Sequence, residues 1–325
     1  MPEDGEEGPS REDRGRSGRP APVRVAIGPR QASWAAAAVR AGGGEVVALG
    51  AAPAGLVWTD FASTAGLHAA LQGQPGIAWV QLPLAGVERV AEAGLLDDRR
   101  RWTSAKGAYA EPVAEHALAL LLAGLRRLPE RARATTWGKP AATTLFDQPV
   151  TVVGAGGVAR ALLLLLAPFR ARVTVVRRRP EALAGAHRTL GAERLADACS
   201  GSRAVVLAAA LTPGTRHLVG RAELAAMGPG CWLVNVARGE LVDTAALVEA
   251  LRERRLGGAC LDVTEPEPLP PDHPLWRLPD CLITPHTADT VAMTRPLLAA
   301  RIAENVRRLA AGAELVGLVD PTLGY

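Results

Sequence analysis

Short apolar runs of strand length alternate with helical patterns along the first third of the chain. The runs end near Gly or Pro, and Ala-rich segments with helical spacing separate them. The predicted strands are Val23–Ile27, Glu45–Leu49, Leu56–Thr59 and Ile77–Gln81, and the predicted helices are Ala32–Arg40 and Ala65–Leu71. This alternation predicts a parallel sheet covered by helices.

The same alternation resumes after residue 148, beyond one long helical pattern. That pattern, Pro112–Leu128, has Pro112 in its first turn and is ended by Pro129. Six strands are then predicted, at Val150–Val153, Arg172–Val176, Ala204–Ala208, Cys231–Val236, Gly258–Val263 and Cys281–Ile283. Helices are predicted at Val158–Phe169, Arg221–Met227 and Thr244–Glu253, and a last one at about Thr290–Ala311. The second series predicts a six-stranded doubly wound sheet.

Composition narrows the class of protein. A length of 325 residues suits two domains, and 48% hydrophobic with 22% charged residues excludes a disordered or fibrous chain. The 37 basic and 33 acidic residues leave a net charge of only +4. A protein that binds nucleic-acid phosphates needs a much larger and more concentrated positive charge. The longest apolar runs, Ala117–Leu125 and Ala161–Ala167, are about half the roughly 20 residues of a membrane span. We therefore expect neither a nucleic-acid partner nor a membrane.

The N-terminus and the cysteines indicate the compartment. Residues 1–21 mix Gly, Pro, Ser and both signs of charge, which predicts a disordered tail without the apolar core of a secretory signal. Cys199, Cys231, Cys260 and Cys281 form no CxxC pair, so we expect reduced thiols and no metal site. These features favour a cytoplasmic protein.

A glycine-rich turn follows the first strand of the second series. It reads Gly154-Ala155-Gly156-Gly157-Val158-Ala159 and leads directly into an apolar helix. In such a turn the first Gly makes the bend, the second lets backbone approach a pyrophosphate, and a third small residue packs helix on strand. Ala159 takes the third place. The context predicts a dinucleotide-binding site.

The end of the next strand indicates which dinucleotide binds. An NAD site usually carries Asp or Glu about 20 residues beyond the first Gly. Here Arg177-Arg178-Arg179 occupy this place. Because a guanidinium binds the 2′-phosphate of NADP with charge-assisted hydrogen bonds, we expect NADP(H) to be preferred, with Arg177 and Arg178 as contacts and NAD(H) as the alternative. A solvated basic turn is the other interpretation.

Three further segments resemble motifs of the D-isomer-specific 2-hydroxyacid dehydrogenases. They are Leu233–Asp243 (LVNVARGELVD), Leu261–Pro270 (LDVTEPEPLP) and Ile283–Ala288 (ITPHTA), and the likeness extends from about Trp79 to Arg308. The resemblance implies an α/β protein of two doubly wound parallel-sheet domains. A Rossmann nucleotide domain of residues 112–289 would be inserted into a flavodoxin-like substrate domain of residues 22–111 and 290–325.

The resemblance implies a catalytic set of Arg238, Glu267 and His286. Their chemistry suits reduction of a 2-keto acid: His286 can supply a proton, Glu267 can orient the ring, and Arg238 can bind the carboxylate and polarise the carbonyl. Taken singly, Arg238 could be a surface charge and His286 an ordinary loop residue. Glu265 is a rival acid, but the family places its acid five residues after Asp262, which selects Glu267.

The resemblance also implies binding contacts. The turn at Ala85 and Gly86 would bind the substrate carboxylate through backbone N–H groups, although it could be a plain strand-to-helix turn. Cofactor contacts would come from Gly154, Gly156, Gly157, Val158, Arg177, Arg178, Thr215, Ala237 and Asp262. Asp262 would hold the nicotinamide carboxamide, with a strand-end cap as the alternative.

Other residues receive plainer interpretations. We expect His116 to pack or cap on the long helix and His273 to be structural. Trp137 could reach a partner subunit's active site, since the family commonly forms homodimers, but a core or surface Trp is the alternative. Asp289 departs from the family, in which Gly or Asn is common at this place.

The expected activity is hydride transfer between NADP(H) and a small 2-keto or 2-hydroxy acid, as in glyoxylate or hydroxypyruvate reductases. A nucleotide-sensing interaction protein, like the corepressors built on the same fold, is the alternative class. Oxidation of phosphite is left open within the enzyme class.

Overall fold

A computed structural model describes residues 21–324, so all of the predicted tail except its last residue lies outside the described residues. Two parallel sheets account for all twelve strands of this part of the chain. The first sheet has the order β2-β1-β3-β4-β5, which is the flavodoxin-like order. Its strands are β1 (Arg24–Gly28), β2 (Glu45–Val46), β3 (Gly55–Trp58), β4 (Trp79–Gln81) and β5 (Arg101–Thr103).

The second sheet has seven strands in the order β12-β11-β10-β9-β6-β7-β8, which contains the doubly wound Rossmann order. They are β6 (Pro149–Val153), β7 (Arg172–Arg177), β8 (Arg188–Gly191), β9 (Ala204–Leu207), β10 (Trp232–Asn235), β11 (Gly258–Leu261) and β12 (Cys281–Ile283). The prediction of two doubly wound parallel sheets is confirmed. The expected count of six strands is wrong, because the edge strand β8 (RTLG) lacks an apolar run.

Helices cover both sheets. They are α1 (Ser33–Ala41), α2 (Thr64–Leu71), α3 (Glu88–Glu92), α4 (Ala110–Leu125), α5 (Leu128–Ala132), α6 (Gly157–Leu166), α7 (Leu195–Cys199), α8 (Arg221–Met227), α9 (Thr244–Arg252) and α10 (Val291–Ala310). The predicted helix Pro112–Leu128 is wrong at its end. Arg127 takes a left-handed φ of 52°, and Pro129 lies in the first turn of α5 instead of ending α4.

The chain crosses from the first sheet to the second through α4 and returns through α10. Helix α10 packs against α1, and its buried Asn305 donates a hydrogen bond of 2.9 Å to Gln81 of β4. Helix α4 packs against α6 and the strands β10 and β11. This path agrees with an inserted second domain, while the exact domain boundaries stay predictions.

The core explains why the central strands are apolar on both faces. Every residue of β9, β10 and β11 is buried, because helices cover both faces of a parallel sheet. The hydroxyl of buried Thr151 donates a hydrogen bond of 2.7 Å to the carbonyl oxygen of Ala198. Functional side chains are therefore confined to the loops at the strand ends.

Candidate active site

The glycine-rich turn leaves the carboxyl end of β6. Gly154 has a φ of +117°, and a Cβ there would overlap the backbone of Ala208, so this position needs Gly. A Cβ on Gly156 would meet no atom within 4 Å, which leaves room for a ligand beside the backbone. A Cβ on Gly157 would instead lie 3.0 Å from the Cα of Gly107, so part of the need for Gly is packing against the chain that enters α4.

The arginine run begins at the last residue of β7, next to this turn. The backbone N–H of Gly154 donates to the carbonyl oxygen of Val176 at 2.8 Å, which brings the turn beside Arg177. Arg177 lies 3.5 Å from the carboxylate of Glu181 and also donates to its carbonyl oxygen. Val158 lies in the first turn of α6, where backbone N–H groups lack helical partners and favour an anion. These residues suit the phosphates of a dinucleotide.

Thr215 stabilises a turn. Its hydroxyl donates to the carbonyl oxygen of Ala210 at 2.8 Å and accepts from the N–H of Thr212. The predicted contact with the cofactor stays a prediction.

Arg238 follows β10 and is held by backbone and side-chain contacts. The buried side chain of Asn235 donates to the carbonyl oxygen of Arg238 at 2.8 Å and accepts from the N–H of Ala237 at 3.1 Å. The Nη1 atom of Arg238 donates to the carbonyl oxygen of Ala237 at 2.7 Å. Asn235 was missed as a supporting residue; its place in the middle of the LVNVARG segment was the available signal.

The turn after β4 of the first sheet meets Arg238 of the second sheet. A Cβ on Gly86 would lie 2.8 Å from Oε1 of Glu88 and would overlap Nη2 of Arg238, so a side chain at this position would displace the ends of Arg238 and Glu88. The turn is anchored just before Gly86: Tyr109 donates to the carbonyl oxygen of Pro83 at 2.7 Å, and Ser104 to that of Ala85 at 3.2 Å. The structure therefore brings together the predicted substrate turn and the predicted carboxylate-binding arginine.

His286 and Glu267 form a hydrogen-bonded pair. Nδ1 of His286 lies 2.7 Å from Oε1 of Glu267, and each side chain is 43% exposed. The rival acid Glu265 pairs elsewhere, with Arg216 at 2.6 Å and His217 at 2.7 Å. Nδ1 thus points to the acid, and the ring remains accessible from solvent.

Each member of this pair shifts the pKa of the other. The hydrogen bond to Glu267 raises the pKa of His286, while burial and Arg238 lower it in part. The hydrogen bond from His286 lowers the pKa of Glu267, and the charge of Arg238 adds to this. Arg238 therefore lies within electrostatic range of both groups, and the catalytic role of the three residues stays a prediction.

The loop that carries His286 is wrapped around Asp262. This carboxylate, 1% exposed, accepts hydrogen bonds from the hydroxyl of Thr284 at 2.6 Å and the N–H groups of Thr287 and Ala288 at 2.9 and 3.1 Å. These contacts fit a strand-end cap. A contact of Asp262 with the nicotinamide carboxamide stays a prediction.

His116 of α4 joins the same network. Its Nε2 lies 3.0 Å from the hydroxyl of Thr284 and 3.2 Å from Oδ1 of Asp262. The expectation that His116 packs rather than reacts agrees with this placement, and the contact ties the crossing helix to the loop of His286. His273 caps a short 3-10 helix by accepting from the N–H of Leu275 at 3.3 Å.

A family model identifies this arrangement. The NAD-binding domain of D-isomer-specific 2-hydroxyacid dehydrogenases matches residues 117–288, which include the glycine-rich turn and all three catalytic candidates. The chain belongs to this family. It is therefore an oxidoreductase that uses a nicotinamide dinucleotide, and its family acts on small 2-hydroxy acids.

The chain is also similar to individual proteins and to a solved structure of a family member. The chain is 35% identical to the "uncharacterized protein in proB 3′region" of Corynebacterium melassecola over 77% of this chain and 84% of that protein. It is 34% identical to a glyoxylate reductase of Aeropyrum pernix over 67% of this chain and 69% of that enzyme. A crystal structure of a family member from Xanthobacter autotrophicus Py2, in complex with NADPH and MES, superposes with a TM-score of 0.79 at 32% identity, covering 94% of this chain and 100% of that chain.

Two features are absent from the described part of this dehydrogenase. Between residues 21 and 324, no group of three or more His, Cys, Asp or Glu side chains could hold a metal ion. In the same range, no helix combines the length and apolar character that crossing a membrane requires.

Proposed function

We propose that this dehydrogenase is an NADP(H)-preferring reductase of a small 2-keto acid such as glyoxylate or hydroxypyruvate. The observation that carries the proposal is the meeting of Gly86 and Arg238 across the two sheets, with Arg238 in electrostatic range of the His286–Glu267 pair. Reduction of a keto acid needs groups that bind its carboxylate and protonate its carbonyl oxygen close to the nicotinamide, so these groups must converge on one place.

Each residue has a separate task in this proposal. The backbone N–H groups at Ala85 and Gly86, together with Arg238, bind the carboxylate, and Arg238 polarises the carbonyl. His286, kept protonated by Glu267, gives its proton to the carbonyl oxygen. A bound nicotinamide dinucleotide supplies the hydride. Gly154, Gly156 and Val158 fit its pyrophosphate, because Gly156 leaves the space beside the turn open.

Two observations support the choice of cofactor and substrate. Arg177 and Arg178 stand where a carboxylate would select against a 2′-phosphate, and the relative from Xanthobacter autotrophicus was crystallised with NADPH. The relative from Aeropyrum pernix is a glyoxylate reductase.

The test is oxidation of NADPH and NADH by the purified protein with glyoxylate and hydroxypyruvate. We expect turnover with NADPH, and we expect His286→Ala to reduce kcat by at least about a hundredfold with little change in the Kd of NADPH. Tight binding of dinucleotide without turnover of either acid would contradict the proposal and favour the nucleotide-sensing class.

The cofactor preference has its own test. The double substitution Arg177→Gln with Arg178→Gln removes both fork donors, so we expect the KM for NADPH to rise about tenfold or more and the KM for NADH to change little. Arg179→Gln is the matched control from the same run. Equal effects on both dinucleotides would refute a role in binding the 2′-phosphate.

A further inference from the structure

We propose that Glu88 is a specificity-determining residue that restricts the enzyme to 2-keto acids with a single negative charge. Glu88 is the first residue of α3 and lies two positions after Gly86 in the substrate turn. The proposal rests on the reductase function proposed above, and it adds the charge class of the substrate.

The first observation concerns the nitrogens of Arg238. Nη1 is committed to the carbonyl oxygen of Ala237, Nε lies 3.3 Å from Oε1 of Glu88, and Nη2 points at the Cα of Gly86. Glu88 therefore lies on the edge of the guanidinium that Nε shares with Nη2. The second N–H of Nη2, on the side of Nη1, is left to bind a substrate carboxylate above the turn while Glu88 stays in place.

The second observation concerns space. Both carboxylate oxygens of Glu88 lie within 2.8 Å of the point where a Cβ on Gly86 would stand. The carboxylate of Glu88 thus borders the position proposed for the substrate carboxylate. Its side chain is 23% exposed, so solvent screens it less than a surface charge.

The charge balance follows from these contacts. Glu88 offsets the single positive charge of Arg238, and Glu267 offsets that of His286. Asp289 also interacts electrostatically with His286 and Arg238, but burial raises its pKa and so favours its neutral form. One substrate carboxylate can still use Nη2 and the backbone N–H groups, but a second anionic group on a three- or four-carbon acid finds no free cation among these residues and a negative charge nearby.

The effect of Glu88 is measured as a preference between two substrates of different charge. We define the ratio as kcat/KM for oxaloacetate, which carries two negative charges, divided by kcat/KM for hydroxypyruvate, which carries one. We expect the wild-type ratio to be about 0.1 or lower, because like charges at close range repel by more than solvent screening removes. Glu88→Gln keeps the shape of the side chain and removes its charge, so the ratio should rise about tenfold.

Glu92→Gln is the matched control. Glu92 is an exposed residue of the same helix α3, and its substitution makes the same change in net charge. We expect its ratio to equal that of the wild type. The Kd of NADPH and the Tm of all three proteins, which should agree, report on folding.

Each outcome is decisive. An unchanged ratio in Glu88→Gln overturns the inference, since Glu88 would then lie away from the substrate during turnover. An equal loss with both acids, or complete loss of activity in the folded variant, also overturns it, because Glu88 would then act only by positioning Arg238. Absence of turnover in the wild type with either acid overturns the reductase function itself.

Discussion

At the residue scale, the pair of His286 and Glu267 should set the pH dependence of the proposed reduction. The hydrogen bond of 2.7 Å to the carboxylate stabilises the imidazolium and raises the pKa of His286. Reduction of a keto acid needs the protonated ring. The kcat/KM for reduction should therefore be full at low pH and fall as the pH rises through the raised pKa of His286.

Substitution of Glu267 should shift the alkaline limb of the pH profile of kcat/KM. In Glu267→Gln the imidazolium loses its charged acceptor, so we expect the alkaline limb of kcat/KM against pH to shift to lower pH, and kcat to fall by at least about tenfold. Glu265→Gln is the control, because Glu265 pairs with Arg216 and His217 instead. If both variants keep the wild-type limb, Glu267 does not tune His286.

Gly86 is the second position where a small change, the addition of one methyl group, should reduce activity. A methyl group there would overlap Nη2 of Arg238, so Gly86→Ala should displace the guanidinium or the turn. We expect kcat/KM for glyoxylate to fall at least about a hundredfold while the Kd of NADPH is retained. Gly76→Ala, just before β4, is the control, since its Cβ would have its nearest neighbour at 3.9 Å. Equal activity of the two variants would contradict the placement of the substrate at this turn.

At the element scale, the loop after β12 depends on Asp262. Burial opposes the charge of this carboxylate, but hydrogen bonds from His116, Thr284, Thr287 and Ala288 outweigh it and lower the pKa to about 2. Because this folded-state pKa lies below the unfolded value of about 3.9, the stabilisation is present above pH 4 and is lost as the pH falls towards 2. The linkage amounts to about 2 kcal/mol.

Asp262→Asn tests this account. At pH 7 it should lower the free energy of unfolding by about 2 kcal/mol, and the difference from wild type should shrink as the pH is lowered from 4 to 2. Urea unfolding across this pH range measures it. Asp280→Asn, which removes a partly exposed carboxylate paired with Arg127, should cost less than about 1 kcal/mol. A difference that stays constant with pH would show that the hydrogen bonds do not favour the charged form.

At the scale of the whole molecule, the segment between α5 and β6 carries the most exposed large apolar side chain among the described residues. Trp137 is 97% exposed, and its neighbours from residue 132 to residue 140 are all exposed. This agrees with a surface Trp and leaves it available to a second copy of the chain. We propose a homodimer in which Trp137 is covered by the partner.

Light scattering after size-exclusion chromatography tests the dimer. We expect a dimer of the 33.9 kDa chain and a rise in the dissociation constant of about tenfold or more for Trp137→Ser. Trp276→Ser, at a 46% exposed Trp in another loop, is the control and should leave the dimer intact. A monomeric wild type, or dimers of equal strength in all three proteins, would contradict the proposed contact.

Some elements of the fold could be predicted from the sequence more reliably than others. The central strands were predictable because burial on both faces demands continuous apolar runs, and Arg221–Met227 was predicted at its observed bounds. The edge strands β5 and β8 were missed because short strands with one open side carry Arg, Thr and Gly as readily as apolar residues. The end of α4 was misplaced because Pro129 is compatible with both the end of one helix and the first turn of the next.

The sequence by itself determined the two parallel sheets, the glycine-rich turn and the family, since these depend on periodicity and on contiguous motifs. Only the tertiary structure decided which groups hydrogen-bond to Asp262 and that Glu88 reaches Arg238. Arg238 lies 150 residues after Glu88, and nothing in local patterning relates two such positions. Their contact arises because both follow parallel strands whose carboxyl ends face one another across the two sheets, which only the packed chain brings about.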